Sequence, residues 1–132
     1  MTLRAALHQF LRDEINVSVH DARLPIRPMM PALVQVFVGG GTVQTHSNRR
    51  SLIARRVQID AFADNDEEVD RMATQVLHAL DGYHGPMNDV EIGWATLLSD
   101  FDTVPNEIKG GQVRYRRILD FEVAYQEAPI SS

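Results

Sequence analysis

RRVQIDAFADNDEEVDRMATQVLHALDGYHG, residues 55–85, carries the strand-to-helix passage on which the fold turns. Val57, Ile59 and Ala61 alternate with Arg56, Gln58 and Asp60, the period of a strand with one packed face. The strand extends back to Ser51, with Ile53 on the apolar side and Arg55 falling on that same side. Asp64 then stands as an N-cap, with the acidic Glu67 three positions on. Asp66, Glu67, Glu68 and Asp70 suit the positive end of a helix dipole, so the acidic run is a solvated first turn and not a metal site. Val69, Met72, Ala73, Val76, Leu77 and Leu80 mark one helical face, and Gly82 is placed to end the helix.

Outward from this passage the same periods recur. Leu3, Leu7, Phe10, Leu11 and Ile15 form an amphipathic first helix with Thr2 as its N-cap. Pro25, Pro28 and Pro31 make residues 16–31 an extended connection, with a short strand near Val17 to Val19. ALVQVFV, residues 32–38, reads as a strand with Val34, Val36 and Val38 on one face and Leu33, Gln35 and Phe37 on the other. A third strand covers 89–101, where Val90, Ile92 and Trp94 alternate with Glu91, Gly93 and Ala95. A fourth covers 112–126, where Val113, Tyr115, Leu119, Phe121, Val123 and Tyr125 share a face interrupted by Arg117. The order is helix, strand, strand, helix, strand, strand. The expected fold is α+β: an antiparallel four-stranded sheet with two helices packed on one face.

Composition narrows the function. The 132 residues fit one domain, with 44% hydrophobic and 23% charged residues, the balance of a globular chain. The chain has no cysteine, so disulfides, thiolate metal sites and cysteine nucleophiles are excluded. A formal net charge of -5 speaks against a protein that coats nucleic acid. The N-terminus lacks the pattern of a signal peptide and no run is long enough to span a membrane, so a protein made in the cytoplasm is expected.

No motif demands catalysis. Gly39, Gly40 and Gly41 are followed by Thr42, Val43 and Gln44, without the lysine and helix that a phosphate loop needs. The five histidines form no HExxH pattern, and no serine sits in a GxSxG turn. Asp60, Asp120 and Glu122 could meet Arg56, Arg114 and Arg116 as ion pairs across the sheet. The chain is read as a structural protein with no cofactor and no metal. Residues 39–50 are expected to be a long mobile loop. Beside it lies the densest basic cluster, Arg49, Arg50, Arg55 and Arg56. That cluster can contact an acidic partner surface or passing DNA, or it can simply blunt strand pairing at an edge.

The stretch 55–85 resembles the strand–cap–helix passage of phage tail-terminator and tail-completion proteins, of siphophage or gene-transfer-agent type. YRRILDFEVAY, residues 115–125, is similar to their closing strand, and the likeness covers roughly residues 3–126. The resemblance implies a virion protein of the tail neck, assembled in the host cytoplasm. It implies a ring, commonly hexameric, on the head-proximal end of the tail tube. Such a ring stops tube polymerisation and presents a docking face to the head-completion or connector protein. DNA passes its channel without specific binding. The alternative within the same class is a head-completion or head–tail joining protein of the neck. On either reading Gly39, Gly40, Gly41, Arg49, Arg50, Arg55 and Arg56 are the candidate assembly interface.

Overall fold

The structure, a computed structural model, describes residues 1–47, 50–108 and 111–126, and for residues 39–47 and 50–52 the backbone alone. The elements run α1 (Leu3–Ile15), β1 (Ser18–Asp21), β2 (Ala32–Ser47), β3 (Arg50–Ala63), α2 (Asp66–Leu80), β4 (Gly85–Met87), β5 (Val90–Asp102), β6 (Asn106–Ile108) and β7 (Gln112–Gln126).

The sheet overturns the expected four-stranded antiparallel arrangement. It has seven strands in the order β1-β2-β3-β7-β5-β4, with β6 pairing β7, and it is mixed and curled into a half-barrel. β1 runs parallel to β2, Ser18 opposite Ala32 and Asp21 opposite Gln35. The proline-containing segment after β1 is the reason: it returns the chain to the start of β2, so the two strands point the same way. β4 and β6 are three residues each, too short to show an alternation in sequence. They flank turns, β4 folding onto β5 and β6 onto the start of β7.

The four long strands do lie where the alternation puts them. β2 pairs β3 antiparallel, with Leu33 opposite Ala61 and Phe37 opposite Val57. β3 pairs β7, with Val57 opposite Phe121 and Ile59 opposite Leu119. These residues share the inner face, on which both helices pack. Leu3, Leu7 and Leu11 of α1 and Val69, Met72, Val76 and Leu80 of α2 join them in one buried cluster. α1 touches β1 and β4, the strands at the two ends of the curl, and so fills its mouth. Asn88 Nδ2, in the β4–β5 turn, donates to Ala6 O at 3.2 Å, and the Met1 ammonium lies 3.0 Å from Asp89 Oδ2.

Two local details shift from the sequence reading. The α2 N-cap is Asn65, not Asp64: Asn65 Oδ1 accepts from Glu68 N at 2.8 Å. In β5, register shifts fall between Ile92 and Trp94 and between Leu97 and Ser99. A bulge adds one residue and so exchanges faces. Ile92 and Ala95 are therefore both buried inward, and Trp94 stays half-buried. The caps at Thr2, which accepts from Ala5 N, and at Gly82, with φ +81°, stand where the sequence placed them.

Candidate assembly interface

The segment expected to be a loop is a continuation of strand. β2 runs unbroken through Gly39, Gly40 and Gly41 to Ser47, with a register shift against β3 between Val38 and Val43. Arg50 opens β3 opposite Ser47. A long two-stranded hairpin therefore extends the β2–β3 pair, and glycines at its bend give the backbone freedom for the irregular register. Arg49 and the side chain of Arg50 lie outside the described part of the structure.

The basic cluster does not form one patch. Successive residues of a strand point to opposite faces, and this splits Arg55 from Arg56. Arg56 lies on the outer face, half exposed, with Nη2 3.6 Å from Asp120 Oδ2. Arg55 lies on the inner face, its guanidinium carbon 4.7 Å from the centroid of the Phe37 ring. Arg4, in the first turn of α1, approaches the same ring at 5.1 Å. The sequence reading did not bring Arg4 and Phe37 together with Arg55. A cation on a strand face is legible in the alternation; the convergence of a helix residue on the same ring depends on how α1 is docked.

The outer face carries the cross-strand ion pairs that the sequence suggested. Arg116 Nη2 reaches Asp60 Oδ2 at 2.5 Å, and the Asp60 side chain is 4% exposed. Gln58 Nε2 donates to Asp60 Oδ1 at 2.8 Å, and Arg116 also lies over the Phe62 ring. Ser99 Oγ donates to Asp120 Oδ2 at 3.0 Å. Arg117 interrupts the apolar face of β7 for a structural reason. Its Nε and Nη2 donate to the two oxygens of Asp100 at 2.7 and 2.6 Å, and its Nη1 donates to Asp70 Oδ1 at 3.0 Å. One guanidinium thus ties α2 to β5 and β7. The hydrogen bonds to Asp100 hold its pKa above the ordinary arginine value, against the opposing effect of burial.

No group of three or more His, Asp or Glu is placed to hold a metal ion among the described residues. A cavity of about 270 Å³ lies between the start of α2 and the ends of β5 and β7, with Val69, Tyr115 and Thr103 in its wall. An open groove of about 660 Å³ runs beside the end of α1, β1 and Met29–Pro31. No described helix is long and apolar enough to cross a membrane.

Comparison with solved structures gives the fold a counterpart. The chain shares its fold with a virion component. A chain from the virion of a native gene transfer agent particle superposes with a TM-score of 0.59 at 14% identity, over 94% of this chain and 95% of that one. A second solved chain matches with a TM-score of 0.56 at 12% identity, over 97% and 96%. No protein-family model and no curated protein matches the sequence. At these identities the likeness is one of fold, along nearly the whole of each chain.

Proposed function

We propose that this chain is a structural virion protein of the tail-terminator type, a subunit that assembles into a ring on the head-proximal end of a tail tube. The ring would halt tube polymerisation and offer the docking face for the head or connector protein, while DNA passes through its centre. The observation that carries this reading is the end-to-end fold likeness to a chain of a gene transfer agent virion. Two features of the chain support it. The residue pattern 55–85 and 115–125 resembles tail terminators, and the fold likeness runs along nearly the whole of both chains.

The shape is compatible with a head-to-tail ring. The curled sheet is open, with different strands, β1 and β4, at its two ends. Contacts between unlike surfaces of identical subunits close into a ring when the rotation fits. The paired ends of β2 and β3, with Gly39, Gly40, Gly41 and Arg50 on them, are the part assigned to contact the next subunit or the tube, together with Arg49, which lies outside the described residues. Arg55 and Arg56 stand at the base of this pair, on opposite faces.

The test is genetic and morphological. Deleting the gene from a phage or particle that encodes this chain is expected to leave tails of uncontrolled length that fail to join heads, and supplying the chain in trans should restore them. Tails of normal length lacking only the head attachment would instead assign the chain to the head-completion side of the neck.

A further inference from the structure

We propose that Arg4, Phe37 and Arg55, together with the free outer edge of β2, form a docking site for an extended acidic segment of another protein chain. Phe37 is half-buried on the inner face of β2, and the two guanidinium groups lie 5.1 and 4.7 Å from its ring centroid. The ring's negative face attracts each cation but neutralises neither. Among the described residues no carboxylate lies within salt-bridge distance of Arg4 or Arg55, whereas Arg56, Arg71, Arg116 and Arg117 each have one. The first turn of α1 adds no acid to offset them. Two cations without an acidic partner are thus held against one aromatic ring, in a chain whose net charge is -5. Carboxylates of a partner chain would supply the acid that each lacks and meet their planar donor forks.

The backbone next to this cluster says what form the partner takes. β1 covers β2 only from Ala32 to Gln35. From Val36 to Ser47 no described strand pairs with that side of β2. An uncovered edge of this length is a template for an added strand. A strand laid there would send alternate side chains to the inner face, beside Phe37 and within reach of the arginines. The other exposed edge is better closed: Gly82 N donates to Ala95 O at 2.8 Å and Asp81 Oδ1 accepts from Leu97 N at 3.0 Å, so a turn blocks β5 there.

Nucleic acid fits this site less well than a protein segment. A duplex footprint rests on many phosphate contacts spread along a basic stripe. Among the described residues two cations converge here, because the strand pleat sends Arg56 to the other face, onto Asp120.

The full chain should be titrated at low ionic strength with a short synthetic peptide in which glutamate alternates with valine. Saturable binding is expected, with new amide-exchange protection along β2 beyond Val36. The Arg4→Ala/Arg55→Ala double variant should weaken it by about tenfold or more, as loss of paired interface charges does. Arg12→Ala, which removes another α1 cation away from Phe37, should leave it unchanged. Should the double variant not fold, Arg55→Lys keeps the charge without the fork and is expected to bind the peptide more weakly than the wild type. No binding by the wild-type chain, or equal binding by the arginine variants, overturns the proposal. So does tighter binding of a short DNA duplex through the same two arginines. A monomer serves for this test as well as a ring, so its outcome is separate from that of the virion reading.

Discussion

Arg117 and Asp60 are the two polar residues whose placement most constrains the sheet. Arg117 is 20% exposed and bridges Asp100 and Asp70, so its removal strands two carboxylates as well as the link to α2. Arg117→Met is expected to cost about 1.5–3 kcal/mol, the range for hydrogen bonds to charged groups, read as a lower midpoint in urea unfolding. An arginine whose folded pKa is raised contributes stability that is complete below its unfolded value and is lost only as pH climbs through the folded one. Its contribution is therefore constant through the neutral range, and an unfolding midpoint that followed Arg117 between pH 6 and pH 9 would contradict this assignment. Asp60 is buried against Arg116 and Gln58. Arg116→Met leaves that carboxylate without its cation and should destabilise by about 2–4 kcal/mol; Asp60→Asn, which preserves shape and most hydrogen bonding, should cost less. Equal losses for the two variants in the same denaturation series would show that the charge at Asp60 is not what Arg116 serves.

At the scale of elements, α2 concentrates the testable claims. Asn65 caps it through Glu68 N, so Asn65→Ala should lose about 1 kcal/mol while Asp64→Ala changes little. Leu80 is fully buried and Leu77 only half, although both belong to the apolar stripe. Leu80→Ala is expected to cost about 2–5 kcal/mol and Leu77→Ala clearly less; the reverse order would mean the helix is rotated from its described face. Much of this was legible in the residues. The stripes of α1 and α2, their caps to within one residue, and β3 and β7 nearly end to end follow from periods of 3.6 and 2. What stayed hidden has specific causes. β4 and β6 are too short to display a period. The first bulge in β5 moves Ala95 inward where simple alternation puts Trp94; its mark in the sequence is Gly93, the unpaired residue, which a count of alternation passes over. Gly39–Gly41 read as a break, and they do fall in the register shift without partners in β3, yet pairing resumes at Val43, so they mark an irregularity within the hairpin and not the end of the strand. The interface was legible only in part: Arg55 and Arg56 are adjacent in sequence, but the pleat parts them, and the stacking of Arg4 on Phe37 depends on tertiary docking.

The whole molecule is a half-barrel whose mouth is filled by α1 and whose outer face is laced with ion pairs. Strand twist curls the sheet, and two helices cover its inner face, so that face is buried within the subunit. Among the described residues, the surfaces without a strand partner include the outer edge of β2 beyond Gln35 and the far end of the β2–β3 pair. On the proposed reading those surfaces serve assembly. Deleting residues 40–48 should then change the melting temperature of the isolated subunit little and abolish its assembly. A large fall in melting temperature would instead make the hairpin part of the subunit's own stability. The most direct measurement of the central claim is negative-stain electron microscopy of the purified chain, alone and mixed with the tail-tube protein of the same particle. Rings of one diameter seated on one end of each tube are predicted; tubes that remain uncapped and grow freely, with the chain present only as monomer, would contradict it.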